Sequence, residues 1–231
     1  MHGRREVFRD YCQSMKEVSL AIMEVLGASL GVGRRYCRDF FADGCSIMRC
    51  NYYPPCPEPD RTLGTGPHCD PAALTLLLQD DDVDGLQVLV DGEWRPVRPK
   101  PGAIVVNIGD TFTVRVLDVR TPTLVPTLFL PRPSALSNGR YKSCLHRAVV
   151  HRERERRSLA FFLCPRGDRV VRPPPRLALA QPRRYPDFTW ADLARFTQRH
   201  YRADDRTLDA FARWLPDDDG TSTSTNGGDP Q

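Results

Sequence analysis

The chain has 231 residues, of which 40% are apolar and 27% are charged, and its formal net charge is +4. This length and composition are those of a globular domain with a core of its own. The small positive charge is spread along the chain rather than gathered into a basic block, which argues against a nucleic-acid partner. No apolar run approaches the roughly 20 residues that a membrane span needs, so we expect a soluble, cytoplasmic protein without a membrane partner.

The first predicted element is an amphipathic helix over residues 6–30. Apolar side chains recur there mostly at helical spacing, with charged residues between them, and Gly31 is a plausible end signal. A helix with one apolar face needs a sheet or another helix to cover that face. We therefore expect residues 1–45 to form a helical flank against a larger core.

From residue 46 the pattern changes to short runs of β-branched and aromatic residues separated by turn signals. The Asp91-Gly92 pair lies between two such runs and predicts a two-residue hairpin. Many short strands at this pitch predict a mainly β protein of jelly-roll type with flanking α-helices. The predicted strands are residues 46–53, 72–79, 86–90, 93–97, 103–108, 142–151 and 158–164.

The C-terminal part predicts two short helices and a tail. Residues 189–201 and 206–215 suit helices, whereas residues 216–231 are almost free of apolar side chains and are predicted to be disordered. The predicted organisation is thus a helical flank (1–45), a jelly-roll core (46–180), C-terminal helices (181–215) and the tail. Residues 113–134 do not fit, because they combine many apolar side chains with four prolines.

Three residues have the chemistry of a metal site. His68 and Asp70 stand two apart, so on a strand both side chains would point to one face. His146 lies in an apolar strand pattern, where a lone histidine is more often a hydrogen-bonded core residue than a ligand. Two histidines and one carboxylate suit non-haem iron and leave coordination positions open.

A second set of residues suits the binding of a dicarboxylate. Arg156 and Ser158 begin an apolar strand ten residues after His146, and a guanidinium there could hold a carboxylate in a bidentate fork. A solvated arginine cluster is the alternative, since Arg152, Arg154 and Arg157 are close by. The eight cysteines show no paired spacing, so we expect reduced, mostly buried thiols. Cys69 and Cys144 adjoin the candidate ligands but are predicted to point to the opposite face.

Several motifs together resemble the plant 2-oxoglutarate oxygenases, with the nearest resemblance to the gibberellin 20-oxidases of cereals. The resemblance covers most of residues 1–216, and the joint order HxD…H…RxS is highly specific. It is carried by NYYPPCPEP (51–59), GPHCDPAALTLLLQD (66–80), DGLQVLVDGEWRPVRPKPGAIVVNIGD (84–110), LSNGRYKSCLHRAVV (136–150) and RRSLAFFLCP (156–165).

The resemblance implies a double-stranded β-helix in which His68, Asp70 and His146 bind Fe(II), with no catalytic residue beyond the metal site. It implies that Arg156 and Ser158 hold 2-oxoglutarate, with Asn51 and Tyr53 as further contacts. It also implies O2 as co-substrate, ascorbate as reductant, and oxidation of a gibberellin precursor at C-20. A related oxygenase acting on another plant metabolite is an alternative.

Two departures from the family pattern stand out. The N-terminal part of the pattern is missing from this sequence, so we expect a substrate pocket that lacks one wall. Residues 113–134 have no counterpart and constitute an insertion, for which an unspliced intron or a gene-model error is one hypothesis. These departures leave open a second alternative, a catalytically impaired, non-enzymatic remnant.

Overall fold

The structure is a computed structural model, and it describes residues 2–112, 143–179, 186–200 and 207–215. The insertion predicted at 113–134 and the tail predicted at 216–231 lie outside these residues. Among the helices of the described ranges, none combines the length and apolar character that a bilayer crossing requires. The predicted division into a flank, a core and C-terminal helices stays a prediction.

Two four-stranded antiparallel sheets form the centre of the fold. The first sheet has the strand order β1-β8-β3-β6 and the second has the order β2-β7-β4-β5, while β9 and β10 pair separately. The strands are β1 (Ser46–Tyr53), β2 (Thr65–His68), β3 (Leu74–Gln79), β4 (Leu86–Val90), β5 (Glu93–Pro96), β6 (Val105–Ile108), β7 (His146–Ala148), β8 (Arg156–Leu163), β9 (Val170–Val171) and β10 (Phe188–Thr189). This architecture confirms the predicted mainly β class with a jelly-roll core.

Helices extend the apolar core of the first sheet, and the first helix contacts β1, β3 and β8 directly. They are α1 (His2–Ser29), α2 (Arg34–Ala42), α3 (Pro175–Ala178), α4 (Trp190–His200) and α5 (Thr207–Trp214). Met23 of α1 is buried in one apolar cluster with Leu76 and Phe161 of the sheet. Burial of each such side chain contributes about 1.5–3 kcal/mol.

Strand alternation separates this apolar core from a cavity on the other face of the first sheet. Along β3, Leu74 and Leu76 belong to the apolar core, whereas Thr75 and Leu77 line the cavity. Successive side chains of a strand point to opposite faces, so the polar positions of the sheet face inward together. The cavity is also lined by residues of the second sheet, among them Val88 and His146.

Most of the predicted strands are present, and two agree in both bounds. Residues 46–53 and 86–90 form β1 and β4, and Asp91 (φ 55°) with Gly92 (φ 79°) makes the predicted hairpin to β5. The sequence interpretation missed α2, α3, β2, β9 and β10 as elements. Positive φ at both central residues is the geometry of the tight turns that connect twisted strands.

Two predictions are wrong, one about the length of a strand and one about the burial of the cysteines. The strand predicted at 142–151 is only His146–Ala148, and its hydrogen bonding to the β4 side extends one residue beyond each end: Leu89 N donates to Leu145 O, and Val149 N donates to Gly85 O. The cysteines are not mostly buried either. Three of the eight, Cys37, Cys69 and Cys164, are buried, and burial raises the pKa of the Cys37 thiol to about 11.

Candidate metal and 2-oxoglutarate site

The structure brings His68, Asp70 and His146 together, and we call these three residues the triad. His68 ends β2, His146 begins β7, and the two are cross-strand partners. Their Nε2 atoms lie 3.7 and 3.6 Å from the same Asp70 oxygen, Oδ1. One ligand atom of each residue lies within 4.8 Å of the other two.

Asp70 reaches this position by a route that the sequence argument did not foresee. The strand ends at His68, so the two side chains do not share one pleat of a continuous strand as predicted. Asp70 lies in the following loop, where its carbonyl accepts a hydrogen bond from Asp110 N at 2.7 Å. The contact between two loops therefore places the carboxylate beside the histidines.

The second Asp70 oxygen is held by two side chains of the first sheet. Oδ2 accepts hydrogen bonds from Thr75 Oγ1 at 2.7 Å and from Asn107 Nδ2 at 2.6 Å. Thr75 and Asn107 are cross-strand partners on β3 and β6. With Oδ2 bound in this way, Oδ1 is the oxygen that faces the two imidazoles.

Neither Thr75 nor Asn107 was recognised from the sequence. Asn107 carried a usable signal, because it is a lone amide within an otherwise apolar strand pattern. A buried amide requires hydrogen-bond partners, and the sequence did not show which they are.

Both imidazoles are oriented by their own backbone. The ring nitrogen Nδ1 of His68 lies 2.8 Å from Gly66 O, and that of His146 lies 3.0 Å from Cys144 O. A carbonyl oxygen can only accept, so Nδ1 carries the proton in each ring and Nε2 presents its lone pair toward Asp70. Burial, and next the neighbouring His146, lowers the pKa of His68. The ring is therefore uncharged at neutral pH, which is the form that binds metal ions.

These observations fit the triad to a divalent metal ion. Two unprotonated imidazole nitrogens and one carboxylate oxygen converge on one region of the cavity wall. This set of donors is typical of non-haem Fe(II) sites, in which the remaining coordination positions stay open for substrates. The backbone and side-chain bonds behind each donor are those that hold metal ligands in orientation.

Arg156 is a buried guanidinium on the wall of the same cavity. Its exposed fraction is 2%, its Nη2 donates to Gln79 Oε1 at 2.9 Å, and its guanidinium carbon lies 5.4 Å from the centroid of the Tyr53 ring. Its Nε has no hydrogen-bond partner among the described residues. Burial lowers the pKa of Arg156, yet an arginine stays charged in proteins. A buried guanidinium on a cavity wall can receive an anionic ligand there.

The neighbouring arginines are solvated, as the alternative interpretation predicted for the arginine cluster. Arg152, Arg154 and Arg157 are exposed, and Arg157 pairs with Glu155 at the surface. The strand β8 begins at Arg156, two residues earlier than predicted, so Arg156 and Ser158 point to the same face. Alternation along β8 therefore selects Arg156, and not Arg157, for the cavity.

The other predicted dicarboxylate contacts form cross-strand pairs with this face of β8. Asn51 lies opposite Ser158 and donates from Nδ2 to Ser158 Oγ at 3.3 Å. Tyr53 lies opposite Arg156, and its hydroxyl is 3.1 Å from Thr65 Oγ1. All four residues line the cavity together with the triad, and this cavity has a volume of about 200 Å³.

One prediction about the cysteines is wrong. Cys144 lines the cavity, although the sequence argument assigned it to the opposite face. The reason is parity, since Cys144 precedes His146 by two residues rather than by one. Cys69 is buried, and neither cysteine belongs to the described group of candidate metal-binding side chains.

The fold and the site agree with the result of comparing the chain with known families. The family model described as the 2OG-Fe(II) oxygenase superfamily matches residues 44–165, which include every candidate site residue. This chain belongs to the 2OG-Fe(II) oxygenase superfamily.

The most similar relatives share one described activity. The chain is 70% identical to Gibberellin 20 oxidase 2 of Oryza sativa over 209 residues, covering 90% of this chain and 48% of the relative. It is 58% identical to Gibberellin 20 oxidase 1 of Arabidopsis thaliana over 211 residues, covering 91% of this chain and 50% of the relative. The chain therefore spans about half the length of the curated relatives it matches.

Solved structures share this fold, and one of them contains 2OG and Fe, the ligands expected here. A structure of JOX2 in complex with 2OG, Fe and JA has a TM-score of 0.71 and 37% identity, covering 83% of this chain and 52% of that chain. A rice dioxygenase for auxin oxidation has a TM-score of 0.71 and 30% identity, covering 90% of this chain and 63% of that chain.

Proposed function

We propose that this chain carries out the Fe(II)- and 2-oxoglutarate-dependent oxidation of a gibberellin precursor at C-20. The proposal rests on one observation. The triad and the buried guanidinium of Arg156, which can bind an anion, line the same cavity. Family membership supports the reaction class, and identity to the gibberellin 20 oxidases supports the substrate.

In this proposal the triad holds Fe(II), and Arg156 holds the distal carboxylate of 2-oxoglutarate. When bound, the metal supplies the oxidising chemistry: one oxygen atom of O2 enters the substrate and the other enters succinate, formed as 2-oxoglutarate loses CO2. Ser158 adds a hydroxyl beside Arg156, and Asn51 fixes that hydroxyl through its amide. Tyr53 supports the guanidinium from the side, with its ring 5.4 Å from the guanidinium carbon.

The contribution of the protein is to fix these groups before the ligands arrive. The triad rings are locked by backbone carbonyls, and the Asp70 carboxylate is locked by Thr75 and Asn107. The fixed charge of Arg156 at another part of the wall gives a five-carbon dicarboxylic acid one orientation. The cytoplasmic location and the use of ascorbate as reductant stay predictions.

The proposal is tested by measuring succinate formation from 2-oxoglutarate with Fe(II), ascorbate and a C20 gibberellin precursor. We expect one molecule of succinate for each oxidation step of the gibberellin precursor, and we expect both succinate and oxidised gibberellin to be lost in His146→Ala. Succinate without gibberellin oxidation would instead indicate an oxygenase that acts on another plant metabolite.

A second version of the chain, without residues 113–134, belongs in the same assay. If the full chain is inactive and the shortened version is active, that segment is the cause of the inactivity. Inactivity of both versions, with iron and 2-oxoglutarate still bound, would overturn the proposed activity and favour the impaired remnant.

A further inference from the structure

Gly85 lies directly against the Arg156 side chain, immediately before β4. A Cβ placed on Gly85 would be 2.4 Å from Arg156 Cδ and 2.6 Å from Arg156 Nε. Real Cβ atoms do not approach other atoms so closely, so any side chain at this position would displace Arg156. The backbone of Gly85 does not have a positive φ, so alanine would be acceptable to the backbone itself. The glycine is required here for close approach rather than for conformation.

Gln79 restricts the position of the Arg156 guanidinium from a second side. It is the last residue of β3, its exposed fraction is 9%, and its Oε1 accepts the hydrogen bond from Arg156 Nη2 at 2.9 Å. Gln79 is also the cross-strand partner of Ser158, so its backbone position is tied to β8. An uncharged acceptor orients the guanidinium without neutralising it, whereas a carboxylate at this position would compete with an anionic ligand.

Neither residue lines the cavity, although Arg156 does. Gly85 and Gln79 therefore lie behind Arg156 with respect to the cavity. The Nε of Arg156, the atom nearest Gly85 after Cδ, has no hydrogen-bond partner among the described residues. The guanidinium is thus located by steric contact on one side and by the Gln79 acceptor on another, with Tyr53 as a further neighbour.

We propose that Gly85 and Gln79 are positioning residues for the 2-oxo dicarboxylic acid, acting only through the placement of the Arg156 guanidinium. This inference rests on the proposed function, because it takes Arg156 as the group that binds the distal carboxylate. A carboxylate fork requires the guanidinium within about 0.5 Å of its productive position. The methyl group of an alanine at position 85 displaces it by more than that, since the contact at 2.4 Å has to open to ordinary van der Waals distance.

The test is a double-mutant cycle on the anaerobic, Fe(II)-loaded chain, with binding of 2-oxoglutarate measured by calorimetry and the unfolding midpoint measured beside it. The variants are Gly85→Ala, Gln79→Met, Arg156→Ala and the two doubles with Arg156→Ala. Gly167→Ala is the matched control, because a Cβ there would meet only Ala191 Cβ at 3.9 Å and the φ of Gly167 is not positive.

We expect Gly85→Ala to weaken 2-oxoglutarate binding about 30-fold and Gln79→Met about 10-fold, with iron affinity unchanged, because the triad is untouched. In the Arg156→Ala background both substitutions should have no further effect on binding. The loss of thermal stability in Gly85→Ala should also be smaller there, because the clashing side chain is gone and only the contact with Val149 O at 3.1 Å remains. The Gly167→Ala control should match the unaltered chain.

The outcomes separate this inference from the function on which it rests. Binding within three-fold of the unaltered chain in both single variants would overturn the inference, as would equal losses with and without Arg156. If Arg156→Ala itself binds 2-oxoglutarate normally, the proposed function fails and the inference fails with it. If Gly85→Ala does not fold but its double with Arg156→Ala does, the clash is demonstrated. If neither variant folds, the binding of 2-oxoglutarate by Gln79→Met alone tests the inference.

Discussion

The triad and Arg156 belong to one cavity, but they are held by contacts of different range. Each triad imidazole is oriented by the carbonyl two residues before it, Gly66 O for His68 and Cys144 O for His146. Arg156 depends on residues distant in the sequence: Gln79 accepts its hydrogen bond, Tyr53 flanks it and Gly85 leaves room for it. Substitutions outside the two histidine segments should therefore disturb the binding of 2-oxoglutarate more readily than the orientation of the imidazoles.

The largest expected effect is the loss of iron in Asp70→Ala. Removing the carboxylate leaves two neutral imidazoles and deletes the one negative charge of the ligand set. The loss is comparable to removing one partner of a buried ion pair, about 3–5 kcal/mol, or roughly 100- to 5,000-fold in affinity. Equilibrium dialysis with metal analysis measures it, and Asp60→Ala, at an exposed aspartate, is the control. Full iron occupancy in Asp70→Ala would show that the triad is wrongly assigned.

The next largest effect should separate the two parts of the site. Arg156→Ala removes a charged fork while leaving the triad intact, so 2-oxoglutarate affinity should fall about 10- to 150-fold, the worth of one charge-assisted hydrogen bond or more. Iron affinity should stay within about three-fold. Arg157→Ala is the matched control, because this neighbour lies on the opposite face of β8 and is exposed. Equal losses of iron and 2-oxoglutarate in Arg156→Ala would contradict the comparison.

A substitution behind the triad tests the long-range side-chain bond that supports Asp70. Asn107→Ala leaves Asp70 Oδ2 with Thr75 as its remaining side-chain donor among the described residues. Loss of such a supporting bond typically weakens metal binding about 10- to 100-fold, and we expect the lower end because Thr75 remains. Val106→Ala, at the exposed neighbouring position of β6, should bind iron normally. If Asn107→Ala weakened only 2-oxoglutarate, Asn107 would belong functionally with Arg156.

The metal ligands were easier to predict from the sequence than the residues that support the site. His68 and Asp70 could be singled out by residue type and spacing, and the motif resemblance added His146; the structure places the three within 4.8 Å. The strands β1 and β4 were predicted with the right bounds because their β-branched and aromatic runs are bounded by clear turn signals.

The residues that support the site could not be found in this way. Thr75 and Asn107 gain their role only when β3 and β6 pair across 32 positions. Gly85 matters only because the side chain of Arg156, 71 residues later in the chain, packs directly against it. The helix α2 was missed because four of its nine residues are charged, Arg34, Arg35, Arg38 and Asp39, which obscures the short apolar stripe that buries Cys37 and Phe41. Strand register and contacts between distant side chains are set by the folded structure, and a local sequence pattern does not indicate them.

The smallest effect is expected at Ser158. Its hydroxyl is buried and accepts the Asn51 amide, so its own proton is available to a carboxylate bound at Arg156. Ser158→Ala removes one neutral donor, worth about 0.5–1.5 kcal/mol, so 2-oxoglutarate binding should weaken about two- to ten-fold with iron unchanged. Combined with Arg156→Ala, the same substitution should cost less than it does alone, because the carboxylate is no longer held beside the hydroxyl. A loss as large as that of Arg156→Ala would mean that this hydroxyl, and not the guanidinium, is the principal anchor.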